Sequence, residues 1–570
     1  MTSLAHAKML HQSGRLREAE AIYRQLLAAD PGNVEVEYLL AAVCDSLGRA
    51  DEAIARLQGL LARAPNHAET HNHLGALLAE RGQLAAAIQH FEIAVRLRPQ
   101  WTEPRQNLEQ ARVNELNQRG LAQVAAADLA GAIACYRQAL VLRPDDVASR
   151  GNLGNALKLQ GQFEEAAECF VGLLAQAPQL GAAHYSLGTV RCKQGRHAEA
   201  EQHLRRAIEL QPQDSQSYCE LGRVMLEQNR VDEALSAYRR AVECAPASAA
   251  AHFHLAFALL LAGDFAAGWR EYEWRLKLPR VRPVSLTEPE WTGSPLAGRT
   301  LLVRGEQGFG DALQFVRFAE TLERAGATVV VECHRALARL LATCPGVSQT
   351  LASGEPPPVI DCHVAMQSLP GLLAVTAESF PAKVPYLSVD EESIERWRSR
   401  YVPGDSFRVG IAWQGDPGHV NDCNRSFPLE RFAQIARLPG VQLYSLQVSA
   451  TGREQLPAVV DAWPIVDLAP RLTDFYETAA AMQHLDLVIT CDSAPAHLAG
   501  ALGRPVWVAL PFAPDWRWLL NRQDSPWYPS MRLFRQPRHG DWEGTFRQIE
   551  AALVELPSAR TATCGGSKPP

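Results

Sequence analysis

A period of 34 residues runs through the first half of the chain. Prolines keep this spacing from Pro31 to Pro99 and again from Pro144 to Pro246. Further positions keep the same frame: the Leu-Gly pairs beginning at Leu74, Leu153, Leu187 and Leu221, the alanines Ala87, Ala132, Ala166, Ala200 and Ala234, and the aromatic residues Phe91, Tyr136, Phe170 and Tyr238. A constant period of this length predicts stacked pairs of antiparallel helices.

Each constant position has a physical reason. Glycine or alanine suits the point where two helices cross closely, an aromatic ring fills the gap beside it, and proline ends the second helix. The pattern resembles the tetratricopeptide repeat, whose arrays are solenoids that bind partners on a concave face. We therefore expect an all-α solenoid over residues 1–280. It should hold about eight units and be irregular near 101–113, where an extended helix and an inserted turn both fit.

Composition limits the partners and the compartment. The chain of 570 residues is 47% hydrophobic and 21% charged, with a net charge of −7, which gives no footprint for nucleic acid. No window of the sequence is long and apolar enough for a transmembrane segment, and the first residues already resemble a repeat helix rather than a signal peptide. The twelve cysteines form no CxxC motif. We expect a cytoplasmic protein without a metal site.

A proline-rich stretch without periodicity, residues 281–297, predicts a linker. Just before it, Trp269, Tyr272 and Trp274 crowd one short helical segment. Two interpretations remain open for these aromatic residues. They can form a capping helix that docks the solenoid onto the next domain, or they can bind a ligand directly.

Beyond the linker, short apolar runs alternate with helical patterns, which predicts parallel sheets. We expect a first Rossmann-like lobe over residues 298–390 and a second over 405–557, followed by a disordered tail, 558–570. The predicted strands are RTLLVRG, ATVVVEC, VIDCHVAM and VPYLSV in the first lobe, and FRVGIAWQG, VQLYSLQ, LDLVITCD and PVWVAL in the second. In such folds, ligands bind beyond the carboxyl ends of the strands.

The first strand of the first lobe leads into a glycine-rich turn that ends with Gly310 and Asp311. Glycines allow a helix N-terminus to approach an anion or a sugar closely. A dinucleotide fingerprint would place a third glycine where Leu313 stands, so a nicotinamide or flavin site is disfavoured. Asp311 can be a carboxylate that favours the helix dipole or a general base in a cleft, and spacing alone does not decide.

The second lobe carries a stronger anion-binding pattern. A buried strand runs directly into Asp492 and Ser493, and a helix follows. Free amides at such a helix N-terminus can hold a diphosphate. Opposite it, the strand VGIAWQG ends in a polar loop that contains Arg425, a residue suited to phosphate charge. Together these strand ends predict a nucleotide-sugar site.

The GFGD turn, the stretch WQGDPGHVNDCNRSFPL and the stretch DSAPAHLAGALGRPVWVALPFAPDWRW resemble family 9 glycosyltransferases of the heptosyltransferase type. The resemblance implies a two-lobed GT-B fold, a nucleotide-activated donor as substrate, inversion, and neither cofactor nor metal. It implies that Asp311 is the catalytic base, that Arg425 helps to hold the donor phosphates, and that Asp492 contacts the donor sugar. Ser493 would lie in the diphosphate-binding turn.

The remaining donor-site candidates follow from the same motifs: Gly310, Gln414, Ser426 and His497. Trp516, Trp518 and Asp524 can wall the donor, although packing between the lobes explains these aromatic residues equally well. Because the first lobe is short, we expect the repeats to recruit a protein or glycan acceptor for the transfer of a hexose- or heptose-type sugar. The alternative is a non-catalytic scaffold with a degenerate nucleotide-sugar domain.

Overall fold

A computed structural model describes residues 3–279, 286–306, 308–376, 378–401, 406–419, 421–459, 463 and 465–556. The expected tail, 558–570, and the first part of the expected linker, 281–285, lie outside the described residues. The chain divides into two compact units, Met1–Pro212 and Gln213–Pro570. In the described part of the chain, no helix combines the length and the apolar character needed to cross a membrane.

The first unit consists of antiparallel helix pairs. Its helices are α1 Leu4–Gln12, α2 Leu16–Ala29, α3 Val34–Ser46, α4 Ala50–Arg63, α5 Ala68–Glu80, α6 Leu84–Leu97, α7 Thr102–Ala125, α8 Leu129–Leu142, α9 Val147–Leu159, α10 Phe163–Gln176, α11 Gly181–Lys193 and α12 His197–Leu210. The small residues lie where the helices touch: a Cβ atom at Gly75 would stand 2.7 Å from the Phe91 ring. The irregular region near residue 101 forms the start of the single long helix α7.

The second unit begins with two further helix pairs, and the predicted solenoid of helical repeats is confirmed. They are α13 Ser215–Glu227, α14 Val231–Cys244, α15 Ala249–Leu261 and α16 Phe265–Tyr272. The same close packing recurs, since a Cβ atom at Gly222 would stand 2.6 Å from the Tyr238 ring. A 3-10 helix, Glu273–Lys277, follows α16.

The first lobe is a parallel four-stranded sheet in the order β3-β2-β1-β4. Its elements are β1 Thr300–Arg304, α17 Phe309–Phe315, α18 Ala319–Arg324, β2 Thr328–Cys333, α19 Arg335–Leu341, β3 Val347–Ala352, β4 Cys362–Ala365 and α20 Leu369–Leu372. The chain order reverses between β1 and β4. The carboxyl ends of these two strands therefore border the crevice where open α/β sheets bind ligands.

The second lobe is a parallel six-stranded sheet in the order β10-β9-β8-β5-β6-β7. Its elements are α21 Glu391–Tyr401, β5 Phe407–Ala412, α22 Asp422–Arg425, α23 Ala433–Ala436, β6 Val441–Ser445, α24 Ala450–Arg453, β7 Ile465–Asp467, α25 Phe475–Met482, β8 Leu487–Cys491, α26 Ala494–Ala501, β9 Val506–Leu510, β10 Met531–Arg535 and α27 Trp542–Glu555. Its order reverses between β5 and β8. Two parallel sheets in series confirm the predicted pair of Rossmann-type lobes.

One predicted strand is wrong. The stretch VPYLSV forms no strand, because its backbone is bonded to the end of a helix instead of a sheet. The amide groups of Tyr386 and Leu387 both donate to the carbonyl oxygen of Ala501, at 3.1 and 3.5 Å. The Tyr386 hydroxyl also accepts a 2.8 Å hydrogen bond from Arg317. The segment therefore joins the two lobes rather than extending either sheet.

The last helix pair packs against both lobes of the second unit. Trp269 donates a 3.3 Å hydrogen bond from Nε1 to the carbonyl oxygen of Val375 in the first lobe. Its ring also meets that of Trp516 in the second lobe edge to face, with 5.2 Å between centroids. Trp274 faces elsewhere: it stacks on His252, 3.9 Å between centroids, within the helix pair itself.

Candidate functional site

The reversals of strand order bring four strand ends into one region. Asp311 lies on the helix that follows β1, and Gln367 comes directly after β4. In the second lobe, Gln414 follows β5 and Asp492 follows β8. The predicted site residues thus lie at the places that the topology of each sheet reserves for a ligand.

Arg517 of the second lobe forms an ion pair with Asp311, the predicted base in the first lobe. Arg517 donates to the Asp311 carboxylate, to Asp515 at 2.9 Å and to Gln314 Oε1 at 2.9 Å. Arg517 is 9% exposed, so the ion pairs operate in a largely dry environment. Burial acts to lower the pKa of Arg517, but Asp515 and Asp311 outweigh it and the pKa is raised. The guanidinium is therefore permanently charged.

The surroundings of Asp311 act on its pKa in both directions. Burial raises the pKa of Asp311, and the Arg517 guanidinium acts against that rise. Asp515 adds to the rise, whereas the backbone at Gly308 and the Gln367 amide favour the ionised carboxylate. Burial makes the ionised form of Asp311 costly, while Arg517 stabilises that form. A carboxylate in this situation is suited to accepting a proton.

Gly310 lets the first lobe touch the helix α26 of the second. A Cβ atom at Gly310 would stand 2.8 Å from Cδ2 of His497. The His497 ring cannot turn aside freely, because it stacks on Trp518 at 5.3 Å and its Nδ1 shares a 3.0 Å hydrogen bond with the Tyr528 hydroxyl. Burial, aided by neighbouring guanidinium groups, holds the pKa of His497 well below its usual value. The imidazole is neutral at physiological pH.

Asp492 is the most perturbed carboxylate of the site. Burial and the like charge of Asp515 raise the pKa of Asp492 to about 6. The Trp518 indole and the charges of Arg425 and Arg517 oppose the rise. Asp492 therefore changes protonation close to physiological pH, which is a common property of functional sites.

The polar loop after β5 is built around Asp422. The Asp422 carboxylate accepts from Ser426 Oγ at 2.9 Å and from Arg425 Nε at 3.4 Å, and Ser426 Oγ in turn accepts from the Gly415 amide at 3.0 Å. Gln447 clamps the Gln414 backbone with two hydrogen bonds of 3.0 Å. Gly415 must be small, because a Cβ atom there would stand 2.7 Å from Arg425 Nη2. The loop thus presents Arg425 in a fixed position.

His419 shows that this loop reaches the other carboxylates. Burial and the charge of Arg425 lower the pKa of His419, while Asp515, Asp422 and Asp311 act in the opposite direction. Arg425 likewise acts on the pKa of Asp492. Five charged groups therefore influence one another across the lobes, and we name them the interlobe cluster: Asp311, Arg425, Asp492, Asp515 and Arg517.

The helix α26 begins beside this cluster. Ser493 is its N-cap residue in an extended conformation, and no side chain caps the helix. The Ser493 hydroxyl instead lies 3.2 Å from Cys491 Sγ and 3.4 Å from Thr490 Oγ1. An uncapped helix N-terminus retains its partial positive charge for an anion.

The three proposed wall residues have different surroundings. Trp516 is buried between Trp269 and Trp527, with 5.2 and 5.7 Å between ring centroids, which fits the packing alternative. Trp518 is buried on His497, next to the interlobe cluster. Asp524 is exposed and pairs with Arg522 at the surface, so its carboxylate is already occupied by another partner.

Sequence reasoning missed Arg517 and Gln367. Arg517 lies between two tryptophans in the stretch DWRW, and within this stretch only the tryptophans are predicted to border the donor. Gln367 directly follows the strand VIDCHVAM at a reversal of strand order. A polar residue at a strand end could have indicated Gln367. However, the order of the strands, which shows that this strand end borders the site, cannot be deduced from the sequence.

The fold and the cluster define a class: a repeat protein joined to a two-lobed α/β domain with a charged cluster between its lobes. Family models match parts of the chain. Tetratricopeptide repeat models match residues 10–78, 120–161, 149–182 and 179–247, and glycosyltransferase family 9 (heptosyltransferase) matches 426–510. The chain thus combines segments similar to tetratricopeptide repeats with a segment similar to glycosyltransferase family 9.

One relative and two solved structures are similar to parts of the chain. Protein FlbA of Caulobacter vibrioides is 27% identical over 342 residues, which cover 54% of this chain and 55% of that protein. The chain thus spans about half the length of this curated relative. A TPR repeat-containing protein of Cytophaga hutchinsonii (17% identity, 44% of this chain, 99% of that one) has a TM-score of 0.33. MamA of Desulfovibrio magneticus (19%, 32% and 96%) has 0.25, and both scores are too low to inform this architecture.

Proposed function

We propose that the second unit is a glycosyltransferase that moves a sugar from a nucleotide-activated donor to an acceptor recruited by the repeats. The observation that carries the proposal is the interlobe cluster. Asp311 of the first lobe and Asp492 of the second share the influence of Arg517, beside the uncapped N-terminus of α26. A base and an anion-binding helix end are the two requirements for displacing a diphosphate leaving group.

In this proposal Asp311 accepts the proton of an acceptor hydroxyl while the oxygen attacks the anomeric carbon of the donor. The bond to the leaving phosphate oxygen breaks on the opposite face, so the configuration inverts. The environment of Asp311 supports this role, because burial raises its pKa. General-base assistance typically contributes about 10²- to 10⁴-fold in rate.

Arg425, Arg517 and the amides that begin α26 would hold the nucleoside diphosphate. Arg517 is engaged with Asp311 and Asp515 in the structure. An arriving diphosphate would compete for that guanidinium and release the Asp311 carboxylate for catalysis. The site would then be activated by its own donor, since stabilisation of the leaving group and exposure of the base depend on the same arginine.

The acceptor would come from the repeats. The first lobe offers a four-stranded sheet with short helices, which leaves little chain for acceptor loops. Helical repeat arrays are extended binding surfaces for proteins and peptides. A protein or a glycan carried by a protein is therefore the expected acceptor, with a hexose or heptose as the transferred sugar.

Binding and hydrolysis of nucleotide sugars by the full chain test the proposal. We expect one of the UDP-, GDP-, ADP- or CMP-linked sugars to raise the melting temperature and to be slowly hydrolysed. Asp311→Asn keeps the shape of the side chain but cannot accept the proton, so turnover should fall roughly 10²-fold or more while donor binding persists. Failure of all these donors to bind would refute the proposal.

A non-catalytic scaffold is the second candidate. It is favoured by the ion pair of Asp311 with Arg517, which occupies the proposed base. Under this alternative a nucleotide sugar binds and stabilises the chain, yet neither hydrolysis nor transfer occurs. Equal and negligible turnover by the natural chain and by Asp311→Asn, with tight donor binding, would identify the scaffold.

A further inference from the structure

The last helix pair of the repeats reaches the loops that carry the proposed base. Tyr272 lies at the end of α16, in the repeat position that Tyr238 occupies one unit earlier. Its hydroxyl donates a 3.3 Å hydrogen bond to Gln367 Oε1. Burial raises the pKa of Tyr272 to about 12, so the hydroxyl keeps its proton and acts as the donor.

This hydrogen bond orients the Gln367 amide. With Oε1 committed to Tyr272, the buried Nε2 group has no hydrogen-bond partner of its own among the described residues, and the Gln367 amide favours the ionised Asp311 carboxylate. Gln367 is 2% exposed, so water does not replace the hydrogen bond to Tyr272. A repeat residue thus acts on the proposed base through one intervening side chain.

Arg275 makes a second connection, from the 3-10 helix that follows α16. Its side chain is fully buried, and Nη2 donates to Glu306 and to Ser368 Oγ, each at 2.8 Å. Glu306 lies in the turn between β1 and Asp311, and Ser368 is the neighbour of Gln367 after β4. One guanidinium therefore joins the two loops at the reversal of strand order in the first lobe.

The connection is held rigidly from the repeat side. Arg275 Nη1 donates to Glu273 at 2.9 Å, and Ser368 Oγ donates to the same carboxylate at 2.8 Å. The guanidinium also lies 4.9 Å from the centre of the Tyr272 ring. Because Arg275, Glu273 and Ser368 are mutually hydrogen-bonded, and Arg275 and Ser368 are buried, the network tolerates few alternative arrangements.

We propose that this last helix pair, together with the 3-10 helix that follows it, helps to form the transferase site. Tyr272 and Arg275 are positioning residues that hold the Asp311 turn and the Gln367 amide in the geometry needed for proton abstraction. The inference rests on the proposed function of Asp311. It differs from simple docking of two domains, since Trp269 and its packing partners would suffice for docking.

Four variants of the full chain test it. Tyr272→Phe removes only the hydroxyl, Gln367→Met removes the amide at similar volume, and a double variant combines them. Tyr238→Phe is the matched control, since it removes the hydroxyl at the equivalent position of the preceding repeat unit. We would measure kcat and KM for the nucleotide sugar, the pH profile of kcat, and amide hydrogen exchange in α17 and the turn before it.

We expect Tyr272→Phe to lower kcat roughly ten-fold and to change KM for the donor less than two-fold, because misplaced catalytic groups slow chemistry more than binding. The double variant should be no slower than Gln367→Met, since Tyr272 acts through Gln367. Because the Gln367 amide lowers the pKa of Asp311, its removal should move the kcat limb assigned to Asp311 to higher pH. The other groups that act on this carboxylate, Arg517 and Asp515, are unchanged.

Hydrogen exchange separates this inference from the proposed function. Exchange in α17 and its preceding turn should become several-fold faster in Tyr272→Phe and should stay unchanged in Tyr238→Phe. If no nucleotide sugar is turned over, the proposed function fails, yet faster exchange would still support the mechanical link. Unchanged exchange together with an unchanged kcat in Tyr272→Phe would overturn the inference and reduce Tyr272 to packing.

Arg275→Lys provides an independent measurement. Lysine keeps the charge, but a single ammonium cannot span Glu306, Glu273 and Ser368 in the way a guanidinium does. We expect the same pattern, a lower kcat with faster exchange in α17, at temperatures well below unfolding. A variant that loses thermal stability but retains kcat and slow exchange would contradict a positioning role.

Discussion

Gly310→Ala tests whether the two lobes meet as closely as the structure shows. The added Cβ atom would stand 2.8 Å from Cδ2 of His497, closer than side-chain atoms normally approach. Alanine gains about 0.5–1 kcal/mol over glycine inside a helix. Overpacking of a rigid contact costs about 1–3 kcal/mol. Because Trp518 and Tyr528 hold His497 in place, the cost should win, with a net loss of roughly 1–2 kcal/mol.

Urea unfolding followed by tryptophan fluorescence measures this loss, since every tryptophan except Trp101 belongs to the second unit. Gly59→Ala, in α4 of the first unit, is a control for the helix effect that is followed by far-ultraviolet circular dichroism: no atom lies within 4 Å of the added Cβ, so this variant should not be destabilised. In a His497→Ala background the added methyl has room, and Gly310→Ala should become neutral or favourable. An equal loss with and without the His497 ring would refute the close contact as its cause.

Three further predictions concern charge and domain organisation. Because the pKa of Asp492 rises from 3.8 to about 6, the folded chain binds this proton more tightly than the unfolded chain, and stability falls as the pH rises from about 4 to about 6. Asp492→Asn should therefore add about 1–3 kcal/mol to the free energy of unfolding at pH 7.5 and only about 0.5 kcal/mol at pH 4, as urea titrations at both values can check. Arg425→Ala should weaken nucleoside diphosphate binding by roughly 1.5–3 kcal/mol in calorimetry, and equal affinity would remove it from the site. Deletion of residues 1–212, the first unit, should preserve donor hydrolysis but abolish transfer to the natural acceptor; full transfer by the shortened chain would contradict acceptor recruitment by these repeats.

The structure sets this deletion point. From the sequence, only the capping helix with Trp269, Tyr272 and Trp274 is expected to dock onto the next domain. However, the preceding pair, α13 and α14, belongs to the second unit, and Asn229 donates a 2.7 Å hydrogen bond to the carbonyl oxygen of Phe512 in the second lobe. A boundary after residue 245 would cut this contact away. Periodicity identifies repeat units, but it does not say which of them pack on a neighbouring domain.

The helical half was predictable because each constraint is local. The 34-residue period, the glycines against aromatic rings and the prolines between units repeat the same contact along the chain. The edge strands of the two sheets were harder to predict from the sequence. β3 has a half-exposed pattern and β7 is only three residues long, so neither shows the apolar run that marks a buried parallel strand.

The positions of the candidate site residues could be predicted where they lie at strand ends, but not where they depend on the packing of the two lobes. Asp311, Arg425 and Asp492 could be selected because each stands next to a glycine-rich turn, a polar loop or a helix start. The ion pair between Asp311 and Arg517 could not, since these residues are 206 positions apart and meet only when the lobes pack. Tyr272 could be selected as a docking or ligand-binding residue, but its hydrogen bond to Gln367, 95 positions away, could not be predicted.

Charge balance explains why Asp492 should be so perturbed. Asp311, Asp422, Asp492 and Asp515 outnumber the two guanidinium groups that contact or influence them, so an empty site with all four ionised is negative. A diphosphate brought there would meet repulsion. A carboxyl group whose pKa is about 6 in the empty site would be driven towards its neutral form by that incoming charge. In the proposed reaction Asp492 would thus take up a proton as the donor binds and change from a repelling charge into a hydrogen-bond donor. Burial of Asp492 thus has two effects: it lowers the stability of the fold at neutral pH, and it makes the protonation that would accompany anion binding easier.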